Sequence, residues 1–113
     1  MKTAELYFLQ GRKRMCVSPA QIIRLEGKSN YTQIYFTDHA PVLMAKVLHI
    51  YDEILKPHGF IRTHRSHLVN AQHVLNVESK RIVHMMDASS VEISRNKKRQ
   101  VLARFIQLSN SKS

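Results

Sequence analysis

Apolar and polar residues follow one another along most of this chain in short runs that are separated by turn residues. Runs of roughly four to eight residues rich in valine, isoleucine, tyrosine, phenylalanine and threonine are typical of β-strands. The pattern predicts strands at residues 5–9, 14–17, 22–26, 32–37, 42–44, 60–62, 74–78, 82–86 and 90–93. Strands at this density favour an antiparallel meander over an alternation of strands and helices.

Two segments depart from this pattern and predict helices. In residues 46–56 the apolar positions recur at the spacing of one helical face, and a proline and a glycine follow the segment. That face comprises Val47, Ile50, Tyr51, Ile54 and Leu55. A second helix is expected to begin at Ser94 or Asn96, either of which can cap it. We expect one side of this helix to be basic and the other to bury Val101, Leu102, Phe105 and Ile106.

The charge of the chain indicates its class of partner. Eighteen Lys and Arg against eight Asp and Glu give a formal net charge of +10 at pH 7, and such a field attracts polyanions at long range. A basic surface that only solubilises the protein is the alternative. The distribution favours nucleic acid, because five of the eleven residues in 94–104 are Lys or Arg and residues 12–14 form a second basic cluster.

Other features restrict the compartment. Cys16 is the single cysteine, so an intramolecular disulfide is excluded, and we expect a buried structural thiol in a reducing cytoplasm. No apolar run approaches the roughly 20 residues that span a bilayer. The first eight residues lack the apolar region of a secretory signal. We therefore expect a cytoplasmic location and no membrane partner.

The sequence gives little support to catalysis or metal binding. It has no glycine-rich phosphate loop, no cysteine–histidine pair at a recognisable spacing and no paired carboxylates. A ribonuclease that uses His64 and Lys97 as acid and base is the remaining enzymatic alternative. His64, His67 and His73 lie close in sequence, but no cysteine or nearby carboxylate completes a typical zinc shell. We expect no enzyme, no cofactor and no metal.

Basic side chains interrupt the apolar frame of residues 59–70. A regular half-buried strand cannot continue through residues 63–65, so we expect a bend or a single helical turn there. Such a bend lifts Arg65 out of the sheet, and a guanidinium fork matches O6 and N7 of guanine. Arg95 follows Ser94 at the predicted helix N-terminus, where exposed N–H groups favour anions.

Three segments resemble the LytTR DNA-binding domain family. Residues 60–70 match its Phe-x-Arg-x-His-Arg-Ser-x-x-Val-Asn motif, Ser94-Arg95 matches a later pair at the start of its last helix, and residues 22–34 match its apolar strand and Asn-Tyr-Thr turn. The resemblance covers roughly residues 5–106. It implies a mainly-β domain of two or three small antiparallel sheets, sandwich-like, with two short helices. We assign the domain to residues 1–108 and a polar tail to residues 109–113.

The resemblance also implies a function and roles for single residues. The family binds duplex DNA sequence-specifically and regulates bacterial transcription, without catalysis. Base contacts are implied for Arg65, Arg95, Tyr31 and Thr32. Phosphate contacts, which add affinity without sequence information, are assigned to Lys28, His64, Asn96, Lys97 and Lys98.

Three motif positions have other or additional interpretations. His64 either bonds a phosphate or locks its loop from beneath. Asn70 is expected to be structural, because its carboxamide can satisfy backbone groups under the motif. His67 departs from the aromatic residue that is common in the family at this place.

The resemblance implies partners as well. A family member that reads direct repeats would bind as two protomers on one site. The family usually joins this module to a phosphoacceptor receiver or a membrane segment, and 113 residues leave room for neither. We expect either a free-standing regulator or a domain cut out of a longer protein, with a receiver domain or partner kinase system as further partners.

Two other functions stay open from the sequence. One is an RNA-binding module that stacks bases on Tyr31, Tyr35 and Phe36, although strand alternation places the last two on opposite faces. The other is a basic protein-interaction domain.

Overall fold

The computed structural model describes residues 6–10 and 12–110, which fold into ten β-strands and two α-helices. The strands are β1 (Leu6–Gln10), β2 (Lys13–Val17), β3 (Ile22–Lys28), β4 (Tyr31–Phe36), β5 (Val42–Met44), β6 (Phe60–His64), β7 (His67–Asn70), β8 (Val74–Glu78), β9 (Ile82–Met85) and β10 (Ser90–Glu92). The helices are α1 (Leu48–Leu55) and α2 (Lys98–Asn110). Short 3-10 turns occupy Pro19–Gln21, Lys56–His58, Ala71–His73 and Arg95–Lys97.

The strands of the described residues pair antiparallel in three sheets. The central sheet has the order β5-β4-β3-β7-β6, a second sheet has the order β10-β9-β8, and β1 and β2 form a hairpin. The predicted mainly-β fold with small antiparallel sheets and two helices is confirmed. The strand β7 was not predicted, because three of its four residues are buried and it shows no alternation of apolar and polar positions.

The central sheet is buried on both faces. Successive side chains of a strand point to opposite faces, so Phe60 and Leu68 join one apolar cluster while Ile61 and Val69 join the other. Residues of α1 and of the β1–β2 hairpin complete the first cluster, and residues of β9, β10 and α2 complete the second. This double burial gives the sandwich-like arrangement and explains the consecutive apolar residues in these strands.

The predicted apolar face of α1 was right for Tyr51 and Leu55 and wrong for its other three residues. The buried residues of the helix are Leu48, Tyr51 and Leu55. Three apolar residues of the predicted stripe instead face solvent, at 42%, 42% and 41% exposure: Val47, Ile50 and Ile54. The apolar residues of this segment span more than the one side that a helix can press against a sheet, so the flank of the stripe stays outside.

The helix α2 packs by Val101, with Leu102, Phe105 and Leu108 partly buried around it. Ile106 was predicted to be buried and is 61% exposed, because it lies on the outer side of the helix. The helix continues through Asn110, so the first two residues of the predicted tail form its last turn. Residues 111–113 of that tail, and residues 1–5 at the other end, lie outside the described residues.

Cys16 is exposed, which overturns the prediction of a buried thiol. In the β1–β2 hairpin the neighbouring Val17 faces the core, and the alternation of the strand turns Cys16 the other way. Neither helix in the described part of the chain is long and apolar enough to cross a membrane.

Candidate nucleic-acid interface

Three connecting segments contain most of the predicted contact residues. We call them the first loop (residues 27–31), the central loop (residues 64–66) and the third loop (residues 94–98). Main-chain hydrogen bonds join them, since Gly27 N donates to Ser66 O at 2.9 Å and Ser94 N donates at 2.8 Å to O of Thr63, the residue directly before the central loop. The central loop thus lies between the other two, and the three form one continuous surface, the loop surface.

The central loop is a tight turn between β6 and β7. The strand register shifts between Arg62 and His64, where the sequence predicted a bend, and Arg65 is exposed at the tip. The turn is held from inside, because Ser66 N donates to His64 Nδ1 at 3.1 Å. His64 therefore locks the loop with one ring nitrogen, which leaves its Nε2 for the predicted phosphate contact.

The guanidinium of Arg62 also holds this loop. Its Nε donates to His64 O at 3.0 Å and its Nη2 donates to Arg65 O. Its Nη1 lies 3.5 Å from Asp52 Oδ2 of α1. No role was predicted for Arg62 or Asp52, although the place of Arg62 inside the motif was a signal that could have identified it.

The first loop is a two-residue turn between the paired residues Lys28 and Tyr31. Ser29 adopts the left-handed conformation in this turn, with φ of 59°. Lys28 is exposed and Tyr31 is 48% exposed, so both side chains are accessible from solvent.

Thr32 does not belong to the loop surface. It is 0% exposed, and its hydroxyl donates a 2.7 Å hydrogen bond to Lys46 O. The prediction that Thr32 reads a base was wrong, because the strand β4 turns this side chain into the protein immediately after Tyr31.

The third loop leads into α2 through the 3-10 turn Arg95–Lys97. Ser94 occupies the N-cap position, but its hydroxyl makes no capping hydrogen bond. Arg95, Asn96 and Lys97 are exposed and Lys98 is half-buried. The first turn contains no acidic residue, so the free N–H groups of a helix start remain unneutralised.

The loop surface is basic and free of carboxylates. Its residues include Lys28, Arg65, Arg95, Lys97 and Lys98, and no Asp or Glu. Two carboxylates near its base are already engaged. Asp52 pairs with Arg62, and Glu26 accepts a hydrogen bond from Tyr35 Oη at 3.2 Å. The loop surface itself therefore has a net positive field, although the charges of Glu26 and Glu92 reach His67 beside the central loop.

Asn70 lies at the end of β7 opposite the central loop and is 1% exposed. Its Nδ2 donates to Pro19 O at 3.2 Å and to Ile22 O at 2.9 Å, while its Oδ1 accepts from Gln72 N at 3.0 Å. All these partners are main-chain groups, so the carboxamide ties the end of β7 to the start of β3.

His67 is half-buried next to His64, with 5.4 Å between their ring centroids. Its Nδ1 is buried without a hydrogen-bond partner. Burial lowers the pKa of His67 below its usual value, against the opposing charge of Glu26. Among the residues that the structure describes, no three His, Cys, Asp or Glu side chains are grouped to hold a metal ion.

The three aromatic residues of the RNA-binding alternative do not form a platform. Tyr31 is exposed, but the ring of Tyr35 is covered by the guanidinium of Arg24 at 3.8 Å from its centroid, and Phe36 is 6% exposed. Bases cannot stack on two rings that the protein itself covers.

Comparisons with known proteins point to one family. The model of the LytTr DNA-binding domain family matches residues 12–106. A solved LytTr DNA-binding domain, from a Bacillus cereus protein described as a methyl-accepting/DNA response regulator, superimposes with a TM-score of 0.69 at 19% identity. The match covers 96% of this chain and 98% of that one, and at this identity it shows the fold alone. A search of curated proteins gave no match.

Proposed function

Because this chain belongs to the LytTr DNA-binding domain family, we propose that it binds duplex DNA sequence-specifically and regulates bacterial transcription. One observation carries the proposal. The loop surface joins exposed basic side chains from three separate segments, without a carboxylate, through main-chain hydrogen bonds. A duplex offers phosphates on both sides of a groove, and a rigid surface with several cations matches that pattern.

The exposed side chains at the tips of the three loops contact the bases. Arg65 stands at the tip of the central loop and Arg95 opens the third loop. Each guanidinium can donate two parallel hydrogen bonds to a guanine edge in the major groove. Tyr31 supplies a further base contact from the first loop, and Thr32 has no part in it.

Phosphate contacts fall to Lys28, His64, Asn96, Lys97 and Lys98. The two lysines of the third loop and Asn96 surround a helix start, where main-chain N–H groups add to the attraction for phosphate. Lys28 acts from the first loop and His64 through its Nε2. These groups set the register of the protein on the backbone without reading sequence.

The wider setting is part of the same proposal. Two protomers bind direct repeats in the cytoplasm, no reaction is catalysed, and a receiver domain or kinase system supplies the signal where the chain is part of a longer protein. We assign DNA binding to residues 1–108, although α2 continues to Asn110.

Selection of bound duplexes from a random pool tests the proposal. We expect a defined motif, and the selected duplex should bind far more tightly than a scrambled duplex, single-stranded DNA or RNA of equal length at physiological salt. Equal binding of all duplexes would remove sequence specificity. Tighter binding to RNA would indicate that RNA, and not DNA, is the partner. If the protein binds no nucleic acid, a protein-interaction domain is the remaining interpretation.

A further inference from the structure

We infer that Arg62 is a positioning residue for base readout, and that Asp52 of α1 orients it. The inference rests on the proposed function, because it concerns how Arg65 is presented to DNA. Arg62 contacts the main chain of His64, the residue before the loop tip, and of Arg65 at the tip itself.

The contacts use the fixed geometry of the guanidinium. Its donors lie in one plane, so two of them can bind two neighbouring carbonyls and fix the peptide between them. Nε donates to His64 O at 3.0 Å, Nη2 donates to Arg65 O, and Nη1 lies 3.5 Å from Asp52 Oδ2. All three guanidinium nitrogens are thereby engaged, and the side chains of Arg62 and Asp52 are only 20% and 24% exposed.

The two halves of the central loop have different supports. The N–H of Ser66 donates to His64 Nδ1, and the carbonyl oxygen of Ser66 accepts a hydrogen bond from Gly27 N. The carbonyls of His64 and Arg65 accept hydrogen bonds from the guanidinium of Arg62, and His64 also pairs with His67 in the β6–β7 ladder. The peptide that carries Arg65 therefore takes its direction from Arg62, and a base-reading side chain tolerates displacements of only about 0.5 Å before its hydrogen bonds suffer.

Asp52 extends this support to α1. The helix is anchored in the first apolar cluster by Leu48, Tyr51 and Leu55. A carboxylate on that rigid helix gives the guanidinium a fixed counter-ion, so that Arg62 is oriented before DNA arrives. The alternative role for Arg62 is a direct phosphate contact, for which two of its five N–H groups remain, but only 20% of its side chain is exposed.

The test compares Arg62→Gln with Arg104→Gln. Arg104 is the matched control, because it also donates to a main-chain carbonyl, Lys56 O at 3.3 Å, but at the far end of α1 from the central loop. We expect Arg62→Gln to lower affinity for the selected duplex about tenfold and to leave scrambled-duplex affinity nearly unchanged. Arg104→Gln should retain full discrimination. Arg62→Lys should behave like Arg62→Gln, because an ammonium keeps the charge but not the fork.

A double-mutant cycle separates positioning from direct contact. If Arg62 acts through Arg65, Arg62→Gln in an Arg65→Ala background should change discrimination less than about twofold. Additive losses, or a salt dependence reduced by about one counterion in Arg62→Gln alone, would identify a phosphate contact and overturn the inference.

Asp52→Asn gives a second test with smaller risk to the fold. It keeps the shape of the side chain, and we expect about a threefold loss of discrimination with an unchanged melting temperature. If Arg62→Gln fails to fold, this variant decides the matter, and full discrimination by it overturns the role of the pair. If the wild-type protein itself does not discriminate, the proposed function fails. If it does and both variants match it, only the inference about Arg62 fails.

Discussion

Arg65 and Arg95 project from different loops, so each can be removed without disturbing the other. We predict that Arg65→Ala and Arg95→Ala each lose about 1–3 kcal/mol of binding free energy for the selected duplex and keep most non-specific binding. Binding isotherms with duplexes substituted at every position should show that the two variants relax different base pairs.

Thermal melts accompany these measurements, because Arg65 adjoins the residues that hold the central loop. A variant that melts like the wild type and still discriminates the selected from the scrambled duplex as sharply would show that its arginine does not read bases.

His67 provides a test of stability at the residue scale. We predict that His67→Phe stabilises the fold by about 1 kcal/mol, because the buried Nδ1 without a partner is removed while a ring of similar shape remains. Chemical denaturation at pH 7.5 measures the difference. A destabilised variant would mean that the phenyl ring does not fit the space of the imidazole.

The same residue makes stability depend on pH. The folded-state pKa of His67 lies below its unfolded value, so the unfolded chain takes up a proton more readily. Its contribution is fully present above the unfolded pKa of about 6.5 and is lost as pH falls below that value. Melting temperatures at pH 7.5 and 5.5 should therefore differ less in His67→Phe than in the wild type, and an equal difference would contradict this origin.

Part of the candidate site could be predicted from the chemistry of its side chains. The other part depends on which side chains the fold buries, and this could not be predicted. The exposure of Arg65 and the buried hydrogen bonds of Asn70 follow from what a guanidinium and a carboxamide require. The predicted base contact of Thr32 was wrong because a motif does not reveal on which side of a strand a residue lies. Arg62 was overlooked because its partners are main-chain carbonyls, which are the same in every sequence.

At the scale of elements, α1 offers a direct comparison of its two apolar sides. We predict that Leu55→Ala costs roughly 2–5 kcal/mol, because the side chain is fully buried. Ile54→Ala on the exposed side should cost less than about 1 kcal/mol. Urea denaturation of both variants checks the pair, and similar losses would show that the outer side of the helix is covered in solution.

The third loop gives a second element-level prediction. Lys97→Ala and Lys98→Ala should weaken binding to all duplexes by similar factors, and each should reduce the salt slope by about one. Binding to the selected and scrambled duplexes at several salt concentrations measures both effects. A changed sequence preference in either variant would move that lysine from phosphate contact to base readout.

Elements with strong local signals were predicted, and those defined by tertiary contacts were not. The helix α1 was found from its spacing and from Pro57 and Gly59 behind it, and Gly59 has φ of 84°, which favours glycine. Which side of α1 is buried depends on the sheet that it meets. The strand β7 is too short and too deeply buried to show a period of its own.

For the whole molecule, the net charge of +10 predicts binding that weakens steeply with salt. Contacts by Lys28, Lys97 and Lys98 alone give a slope of log K against log salt concentration of about −3 per protomer. A slope twice as large on a duplex with two half-sites would indicate that two protomers bind it. Affinity that does not change with salt would contradict the nucleic-acid function altogether.

The fold class could be predicted at this scale, because nine predicted short strands with turn residues between them favour antiparallel pairing, and the family resemblance implied small sheets. The order of the strands within the sheets could not be predicted from the sequence. In the central sheet β3 lies beside β7, and this long-range pairing brings Gly27 next to Ser66.

The main-chain bonds that join the three loops also bear on how this protein can change over generations. Every residue except proline carries the same main-chain donor and acceptor, so exchanging Arg65 or Arg95 leaves the Gly27–Ser66 and Ser94–Thr63 bonds intact. New side chains at the tips then meet DNA from an unchanged scaffold. If these tips read bases as proposed, a lineage can acquire a different operator by point substitution without passing through unfolded intermediates. A library randomised at positions 31, 65 and 95 should then consist mostly of folded proteins with diverse targets.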